Sequence, residues 1–260
     1  MRNQTDMGTR FTVGTIAFSL LCALSAAAGA GPAPELHIVA TPNMRSVLPA
    51  LIFSYERHGT SRVSAAYLSP AEIRARIESR ADVDVAITPK PMTDALAREK
   101  QLTNVVTAAR SPIGIAIQSG KAKPDISSPA SFKHALLTAN SIVCSNNGPS
   151  GKVAMRLFKS LGIEEEITTK LKLVPPGGTA LPDTIASGAA DLGIDQLIVF
   201  RGKPGIQVVG PLPKEFAADI IMGAGVTKSS HAPGAATAFM NFLKSPEAAK
   251  SLEAHGMSPN

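Results

Sequence analysis

The chain has 260 residues, of which 44% are hydrophobic and 18% are charged, so it is neither disordered nor of low complexity. Lysine and arginine outnumber aspartate and glutamate by 26 to 20, without a clustered basic run, and 4% of the residues are aromatic. This spread positive charge favours small anions as partners and argues against nucleic acid, which requires a clustered basic face with aromatic side chains. The length fits one domain or two lobes of about 100 residues each.

The first thirty residues have the pattern of a secretory signal peptide. Arg2 and Arg10 form a positive amino-terminal segment, residues 11–28 carry no charge, and Ala28-Gly29-Ala30 matches a signal peptidase site. Cleavage there leaves 24 basic and 19 acidic residues, with Cys144 as the remaining cysteine. A single cysteine cannot form an internal disulfide, so we expect the exported chain to depend on its core for stability.

Short apolar runs alternate with helical patterns along the rest of the chain. The sequence predicts strands at residues 36–41, 63–67, 84–88, 142–145 and 191–200. It predicts helices at residues 44–58, 92–100, 181–187, 235–243 and 246–255, and a strong helix start in the capping box Ser69-Pro70-Ala71-Glu72. The apolar stretch 105–118 is interrupted by Arg110-Ser111-Pro112. This alternation predicts an α/β fold with a mostly parallel sheet.

Ligand sites of such sheets lie at the carboxyl ends of the strands. The loops at these ends are rich in hydroxyl and amide side chains, and they stand next to helix starts. They are Thr41-Pro42-Asn43, Leu68-Ser69, Thr88-Pro89-Lys90, Ser145 to Lys152, Gly177 to Thr179, and Asp195-Gln196.

The segment from Ser145 to Lys152 is the most informative of these loops. A glycine-rich turn that enters a helix directs backbone N–H groups and the positive end of the helix dipole at an anion. Ser150 adds a hydroxyl and Lys152 a charge, although an ordinary strand-to-helix turn with a solvated lysine has the same pattern. The segment is not a nucleotide-binding P-loop, because Asn146 replaces the required glycine and Val153 replaces the magnesium-binding serine or threonine.

Metal and nucleophile signatures are not found in the sequence. The five histidines, His37, His58, His134, His231 and His255, have no partner at metal-ligand spacing. No G-x-S-x-G motif occurs, and Cys144 lies inside an apolar strand, where we expect it to be buried and inert. We therefore predict neither a cofactor nor a metal.

Two segments carry a resemblance to a known family: PSGKVAMRLFKSLGI (149–163) and LKSPEAAKSLEAHG (243–256), in an order that extends over nearly the whole mature chain. The chain resembles the molybdate-binding-protein-like branch of the periplasmic solute-binding proteins of ABC importers. The resemblance implies a two-lobe type II periplasmic-binding fold, each lobe a mostly parallel sheet flanked by helices, with an anion in the cleft between them. It also implies a periplasmic monomer and a permease as a possible partner. We expect residues 31–112 and 205–260 to form the first lobe and 113–204 the second.

The chain departs from the molybdate pattern at several positions. Asn43 stands where those proteins carry serine, Ser150 where they carry alanine, and Gln196 where they carry tyrosine, while their second-loop serine pair is reduced to Ser69. Because Arg110 could bind a carboxylate with its forked guanidinium, we predict an organic di- or tricarboxylate as ligand. The predicted ligand-binding residues are Thr41, Asn43, Ser69, Arg110, Ser111, Ser150, Gly151, Lys152, Thr179 and Gln196.

Other functions stay open at this stage. The stretch 110–145 resembles a subgroup that includes aconitate isomerase, in which a base removes a methylene proton and an acid returns one. Lys90, Lys152 and Asp195 are then the candidate proton-transfer groups, with Arg110 holding a carboxylate. Binding of a molybdate-type oxyanion is a further alternative. An exported adhesin on the same scaffold would have no saturable small ligand.

Overall fold

The computed structural model describes residues 35–58, 61–177 and 179–259, so the predicted signal peptide lies outside the described residues. The strands are β1 (Glu35–Ala40), β2 (Arg62–Tyr67), β3 (Val85–Pro89), β4 (Leu102–Gln118), β5 (Ile142–Ser145), β6 (Leu171–Val174), β7 (Leu192–Gln196), β8 (Ile206–Pro211) and β9 (Asp219–Thr227). The helices are α1 (Leu48–His58), α2 (Pro70–Glu78), α3 (Lys90–Arg98), α4 (Pro129–Thr138), α5 (Pro149–Leu161), α6 (Glu164–Thr168), α7 (Ala180–Ala186), α8 (Leu197–Phe200), α9 (Pro233–Phe242) and α10 (Pro246–Ala254). None of these helices is long and apolar enough to cross a membrane.

The strands join in the order β2-β1-β3-β9-β4-β7-β5-β6, and β8 also pairs with β4. In the first half of the sheet, β1 is parallel to both β2 and β3. In the second half, β5 is parallel to both β6 and β7. Ligand sites of such sheets lie at the carboxyl ends of parallel strands. A site is therefore expected at the loops that follow β1 and β7.

One long strand, β4, connects the two halves. From Leu102 to Pro112 it is antiparallel to β9, and from Ile113 onwards it is antiparallel to β7 and β8. The predicted boundary between residues 112 and 113 coincides with this change of partners. The residues Arg110-Ser111-Pro112, which interrupt the apolar stretch of the sequence, lie within β4, and Pro112, which has no N–H to donate, occupies the position where the strand changes partners.

The second predicted lobe boundary, between residues 204 and 205, lies just before β8. Strand β8 pairs with β4 between Gly114 and Gln118, in the second half of the sheet. Strand β8 thus forms backbone hydrogen bonds with the edge of β4 that does not pair with β7. The chain therefore returns to the first half after β8, and the division into lobes stays a prediction.

Apolar side chains from both halves form one continuous core. The largest buried cluster contains Ile38 and Val85 of the first half together with Ile115 and Ile194 of the second. This core extends across the change of partners in β4 and supports the strands of both halves, whose carboxyl ends carry the loops described below.

Local helix-start signals are confirmed, and two other predicted elements change. Ser69 accepts from the backbone N–H of Glu72 and Glu72 bonds back to Ser69, which completes the predicted capping box. The predicted helix at 44–58 is a 3-10 turn, Pro42–Ser46, followed by α1. The predicted strand at 191–200 ends at Gln196, and residues 197–200 form α8, because a short apolar run does not distinguish a buried strand from a buried helix.

Candidate functional site

Side chains from the two halves of the sheet meet at the carboxyl ends of β1 and β7. Asn43 Nδ2 donates to Gln196 Oε1 at 3.0 Å and lies 3.5 Å from Met222 Sδ. Thr41 Oγ1 donates to Asn43 Oδ1 at 2.8 Å. Thr41 and Gln196 are almost fully buried. We call these four side chains, Thr41, Asn43, Gln196 and Met222, the amide cluster.

The register of β4 places Ser111 on the amide cluster's side of the sheet. Ala109 pairs with Met222 and Ile113 pairs with Gln196, and directly paired antiparallel residues point to the same face. Ser111 lies midway between Ala109 and Ile113, so the two-residue period of a strand directs it to that face as well. It is 0% exposed, and its Oγ has no hydrogen-bond partner among the described residues. A buried hydroxyl without a partner therefore lies between the positions that contribute Met222 and Gln196 to the cluster.

A second polar group surrounds the start of α5. The backbone N–H of Gly151 donates to Ser145 Oγ at 3.1 Å, and Ser145 Oγ lies 3.2 Å from Ser150 Oγ. Asp195 Oδ1 accepts a 2.7 Å hydrogen bond from the backbone N–H of Gln196, and the Ser150 hydroxyl favours the charged form of the Asp195 carboxyl. We call Ser145, Ser150, Gly151 and Asp195 the hydroxyl cluster.

Glycine is required at position 151 because of this close approach. A Cβ atom on Gly151 would collide with the backbone carbonyl oxygen of Ser145 and would stand 3.0 Å from its hydroxyl. The two clusters adjoin through the peptide bond between Asp195 and Gln196, whose side chains point to opposite faces of β7.

Burial dominates the electrostatics of the hydroxyl cluster. The carboxyl of Asp195 is 6% exposed, and this loss of solvent raises its pKa from 3.8 to about 6, against the opposing effects of the Ser150 hydroxyl and the Gln196 N–H. Burial, and secondarily the nearby Asp195 carboxyl, raises the pKa of the Cys144 thiol to about 12. The thiol is thus kept protonated, in agreement with its predicted inertness, whereas Asp195 can change charge near neutral pH.

A further contact between the halves involves the loops after β1 and β6. Gly177 has φ +79°, and a Cβ there would stand 3.1 Å from Pro42 Cβ. The loop that contains Thr179 therefore starts beside the loop that contains Asn43. Thr179 itself is exposed at the start of α7 and makes no side-chain cap bond.

The other predicted residues are not brought into the two clusters. Ser69 is exposed and caps α2. Lys90 Nζ contacts both carboxylate oxygens of Asp94, at 2.7 and 2.9 Å. Lys152 is exposed on α5. Arg110 is half-buried and, as the neighbour of Ser111 along β4, points to the opposite face of the sheet.

Two residues of the clusters, Ser145 and Met222, were among neither the predicted binding residues nor the candidate proton-transfer groups. Ser145 ends an apolar strand directly before the glycine-rich turn, and this position was the signal that could have identified it. Met222 gave no signal, because its place beside Asn43 depends on the pairing of β9 with both β3 and β4. No group of three or more potential metal-ligating His, Cys, Asp or Glu side chains converges within the described residues.

Comparison with known proteins identifies the family. Residues 36–258 match the family model of bacterial extracellular solute-binding proteins. An aconitate isomerase from a Pseudomonas species is 28% identical over 251 residues, which cover 93% of this chain and 94% of that protein. The periplasmic molybdate-binding protein of Azotobacter vinelandii superposes with a TM-score of 0.70 at 21% identity, over 86% of this chain and 98% of that one. A substrate-binding domain from Clostridium difficile superposes with a TM-score of 0.75 at 19% identity, over 88% of this chain and all of that one.

The chain belongs to the bacterial extracellular solute-binding proteins. Its fold is the type II periplasmic-binding fold that these molybdate-type structures share, which confirms the fold and the solute-binding family inferred from the resemblance. The family implies a small solute as the class of ligand and an ABC permease as the class of partner.

Proposed function

We propose that this chain is an exported protein that captures a small organic acid through the carboxylate groups of the acid. The proposed site lies at the carboxyl ends of β1 and β7, where the amide and hydroxyl clusters adjoin. The observation that carries the proposal is the Ser111 hydroxyl, which is fully buried on the amide cluster's side of the sheet and has no partner in the described part of the chain. A buried hydroxyl without a partner costs about 1–3 kcal/mol. A ligand oxygen that accepts its hydrogen bond recovers this free energy.

The amide cluster supports the same conclusion. The bond between Asn43 and Gln196 joins the two halves of the sheet, so a ligand acceptor placed between these amides would exchange one protein–protein bond for bonds to both halves. Solute-binding folds of this kind close around their ligand by moving one half against the other. Amide and hydroxyl donors suit a buried anion, because they provide hydrogen bonds without burying a counter-charge.

The choice of a carboxylate rests on the relative and on the composition of the site. The relative at 28% identity over nearly the whole chain is, by its name, an isomerase of the tricarboxylate aconitate. The chain lacks the serine and tyrosine expected at positions 43 and 196 of the molybdate pattern, and carries Asn43 and Gln196 there, joined to each other. An organic acid presents separate carboxylates to the amide cluster and to the start of α5.

The wider context follows from the family. We place the protein in the periplasm as a monomer, with an ABC permease of the inner membrane as its partner. Under this proposal the solute is delivered to the permease after capture.

Calorimetric titration of the chain with one set of anions tests the proposal. We expect saturable binding of citrate, cis-aconitate or trans-aconitate, and weaker or no binding of molybdate, tungstate and sulfate. Binding of the inorganic oxyanions alone would overturn the carboxylate proposal, and an absence of binding by every anion would overturn anion capture altogether.

Isomerisation is a second candidate, favoured by the same relative and by Asp195. Moving a double bond along an allylic carbon chain requires that a proton leave one carbon and that a proton return to another. Of the three candidate proton-transfer groups, Lys90 pairs with Asp94, Lys152 is exposed, and Asp195 is buried with its pKa raised to about 6, near the range useful for proton transfer.

Incubation with trans-aconitate separates the two candidates. Formation of the cis isomer by the wild-type chain, with loss of turnover in the Asp195→Asn variant, supports isomerisation. Stoichiometric binding without product identifies a binding protein.

A further inference from the structure

The turn that carries Asn43 also places an arginine beside the candidate site. Arg45 lies in the 3-10 turn Pro42–Ser46, two residues beyond Asn43. Its guanidinium carbon stands over the ring of Tyr67, 4.6 Å from the ring centroid. We propose that Arg45 binds a further carboxylate of the ligand, and that the Tyr67 ring positions the guanidinium for this contact. The proposal rests on the function proposed above.

The register of the first two strands places this contact at the carboxyl edge of the sheet. Tyr67 is the last residue of β2 and pairs with Ala40, the last residue of β1. The backbone N–H of Leu68 donates to the Ala40 carbonyl at 3.0 Å, so the loop after β2 starts beside the loop after β1. The loop after β1 contains Asn43 of the amide cluster. Arg45 therefore extends the candidate site from β1 towards β2, whose loop was among the predicted ligand loops.

The N–H donors of Arg45 are available to a ligand. Its guanidinium forms no ion pair or hydrogen bond with the residues that the structure describes. Lys90, which also follows a strand of the first half, is instead paired with Asp94. A guanidinium over an aromatic ring contacts it through the face, whereas its five N–H donors lie in the guanidinium plane. The ring contact thus leaves the donors that a carboxylate accepts from.

The Tyr67 ring lowers the entropic cost of binding by Arg45. A long exposed side chain loses conformational freedom when it is immobilised by a ligand, and this loss opposes binding. Arg45 is exposed, but Tyr67 is half-buried and packs against the main apolar core, so the ring is fixed. A guanidinium held over a fixed ring has fewer conformations to lose. Tyr67 is therefore a positioning residue, and Arg45 makes the contact with the carboxylate.

The position of Arg45 also restricts the class of ligand. The amide cluster provides neutral donors, and Arg45 provides a cation with a forked geometry that matches a carboxylate. A ligand that reaches both needs two separate carboxylates joined by a carbon chain. Organic di- and tricarboxylates have this form, whereas the oxygens of a tetrahedral oxyanion surround one atom.

Isothermal titration calorimetry with trans-aconitate at pH 7 compares the wild type with Arg45→Gln and Arg57→Gln. Arg57 is the matched control, because it is exposed on α1 and also stands over a ring, that of Phe53, at 5.9 Å from the centroid. Each variant removes one positive charge, so the general attraction of the chain for anions falls equally in both. A loss confined to Arg45→Gln is therefore the loss of a local contact.

We expect Arg45→Gln to bind trans-aconitate about tenfold more weakly than the wild type, because a charge-assisted contact is lost. Arg57→Gln should stay within about twofold of the wild type, because salt screens a distant exposed charge. Equal affinities in wild type and Arg45→Gln, or equal losses in the two variants, would overturn the role of Arg45, while binding by the wild type would uphold the proposed function. If no anion binds to the wild type, the proposed function fails and this inference falls with it.

A second comparison tests the positioning role of Tyr67. Tyr67→Phe keeps the ring and should keep the affinity of the wild type, whereas Tyr67→Leu removes the ring and should weaken binding. In the Arg45→Gln background Tyr67→Leu should have no further effect on affinity, because the ring acts through Arg45. The same loss with and without Arg45 would overturn the positioning role. Because Arg45 is exposed, the test of its own role does not depend on the folding of the Tyr67 variants.

Discussion

Asn43 and Gln196 are 153 positions apart in the sequence, and one hydrogen bond of 3.0 Å joins their side-chain amides across the two halves of the sheet. Gln196 is the last residue of β7, and Asn43 lies in the 3-10 turn that follows the carboxyl end of β1. The long strand β4 sets their separation, since it pairs with β7 in one half and with β9 in the other. This bond therefore connects the two halves of the sheet through two residues of the candidate site.

A double-mutant cycle on this pair should show measurable coupling. We expect Asn43→Ala and Gln196→Ala each to lower the free energy of unfolding, with a coupling of about 0.5–1.5 kcal/mol, because each removes the same bond. Urea unfolding of the two single variants and the double variant measures it. Gln118→Ala is the matched control, because Gln118 bonds to the carbonyl of Ala186 instead, and its effect should add to that of Asn43→Ala. Additivity in the Asn43–Gln196 cycle would show that the pair contributes nothing.

Substitution of Gly151 should damage the start of α5. A methyl group in Gly151→Ala would collide with the Ser145 carbonyl, so we expect a loss of about 1–3 kcal/mol in stability and weaker anion binding. Gly234→Ala is the control, because a Cβ there meets nothing within 4 Å and alanine favours helix α9. Chemical denaturation of both variants checks this, and equal effects would mean that the Ser145 contact relaxes freely.

Local signals in the sequence predicted the helix starts and the loops that carry the site. Ser69 and Pro70 identify the start of α2 from four neighbouring residues, because a capping box is complete within one turn. The same holds for the placement of Asn43 and Ser150 after strands, since a strand-to-helix junction is visible locally. Gln196 was also expected at a strand end, but its junction with α8 lies inside the predicted strand 191–200. These three side chains lie in the two clusters.

Features that depend on strand register could not be predicted. The burial of Ser111 without a partner follows from the pairing of β4 with two different strands, and the sequence shows there only that an apolar stretch contains Arg110-Ser111-Pro112. The alternation of β4 directs Arg110 to the face opposite the amide cluster, a placement that the local sequence does not show, and its predicted role in holding a carboxylate stays a prediction. The raised pKa of Asp195 likewise depends on burial by elements distant in the sequence.

The buried carboxyl of Asp84 should stabilise the fold only above strongly acidic pH. Burial by itself would raise the pKa of Asp84, but its bonds from the His37 N–H, the Ser230 hydroxyl and the N–H groups of Ala232 and His231 together lower it below 3.8. The resulting stabilisation is complete above pH 3.8 and is lost as the pH falls through the depressed value. We expect Asp84→Asn to destabilise the chain by about 1–3 kcal/mol at pH 7, measured by urea unfolding, because its amide places a donor against donors. If the free energy of unfolding of Asp84→Asn fell at acid pH as it does in the wild type, this would contradict the attribution of the pH dependence to Asp84.

Asp195 should have the opposite effect on stability. Its pKa of about 6 in the folded chain exceeds the ordinary value of 3.8. The contribution of Asp195 to the free energy of unfolding is therefore fully present below about pH 3.8 and is lost as the pH rises to 6. The loss amounts to roughly 3 kcal/mol, given about 1.4 kcal/mol per pKa unit. Unfolding free energies measured from pH 4 to 7 should decline in the wild type relative to Asp195→Asn. Parallel curves would mean that Asp195 titrates normally.

Replacement of Ser111 should separate stability from binding. In Ser111→Ala the hydroxyl without a partner is removed, so we expect the free energy of unfolding to rise by about 1 kcal/mol, while affinity for the bound organic acid falls roughly tenfold through loss of a donor. Ser145→Ala is the matched control: its hydroxyl accepts from Gly151 N–H, so its removal leaves a buried donor without a partner and should lower stability. Unfolding and titration measurements on both variants distinguish a hydroxyl that serves the ligand from one that serves the fold. A loss of stability in Ser111→Ala with unchanged affinity would assign Ser111 to the fold, because only a hydroxyl bonded within the protein stabilises the chain before the ligand arrives.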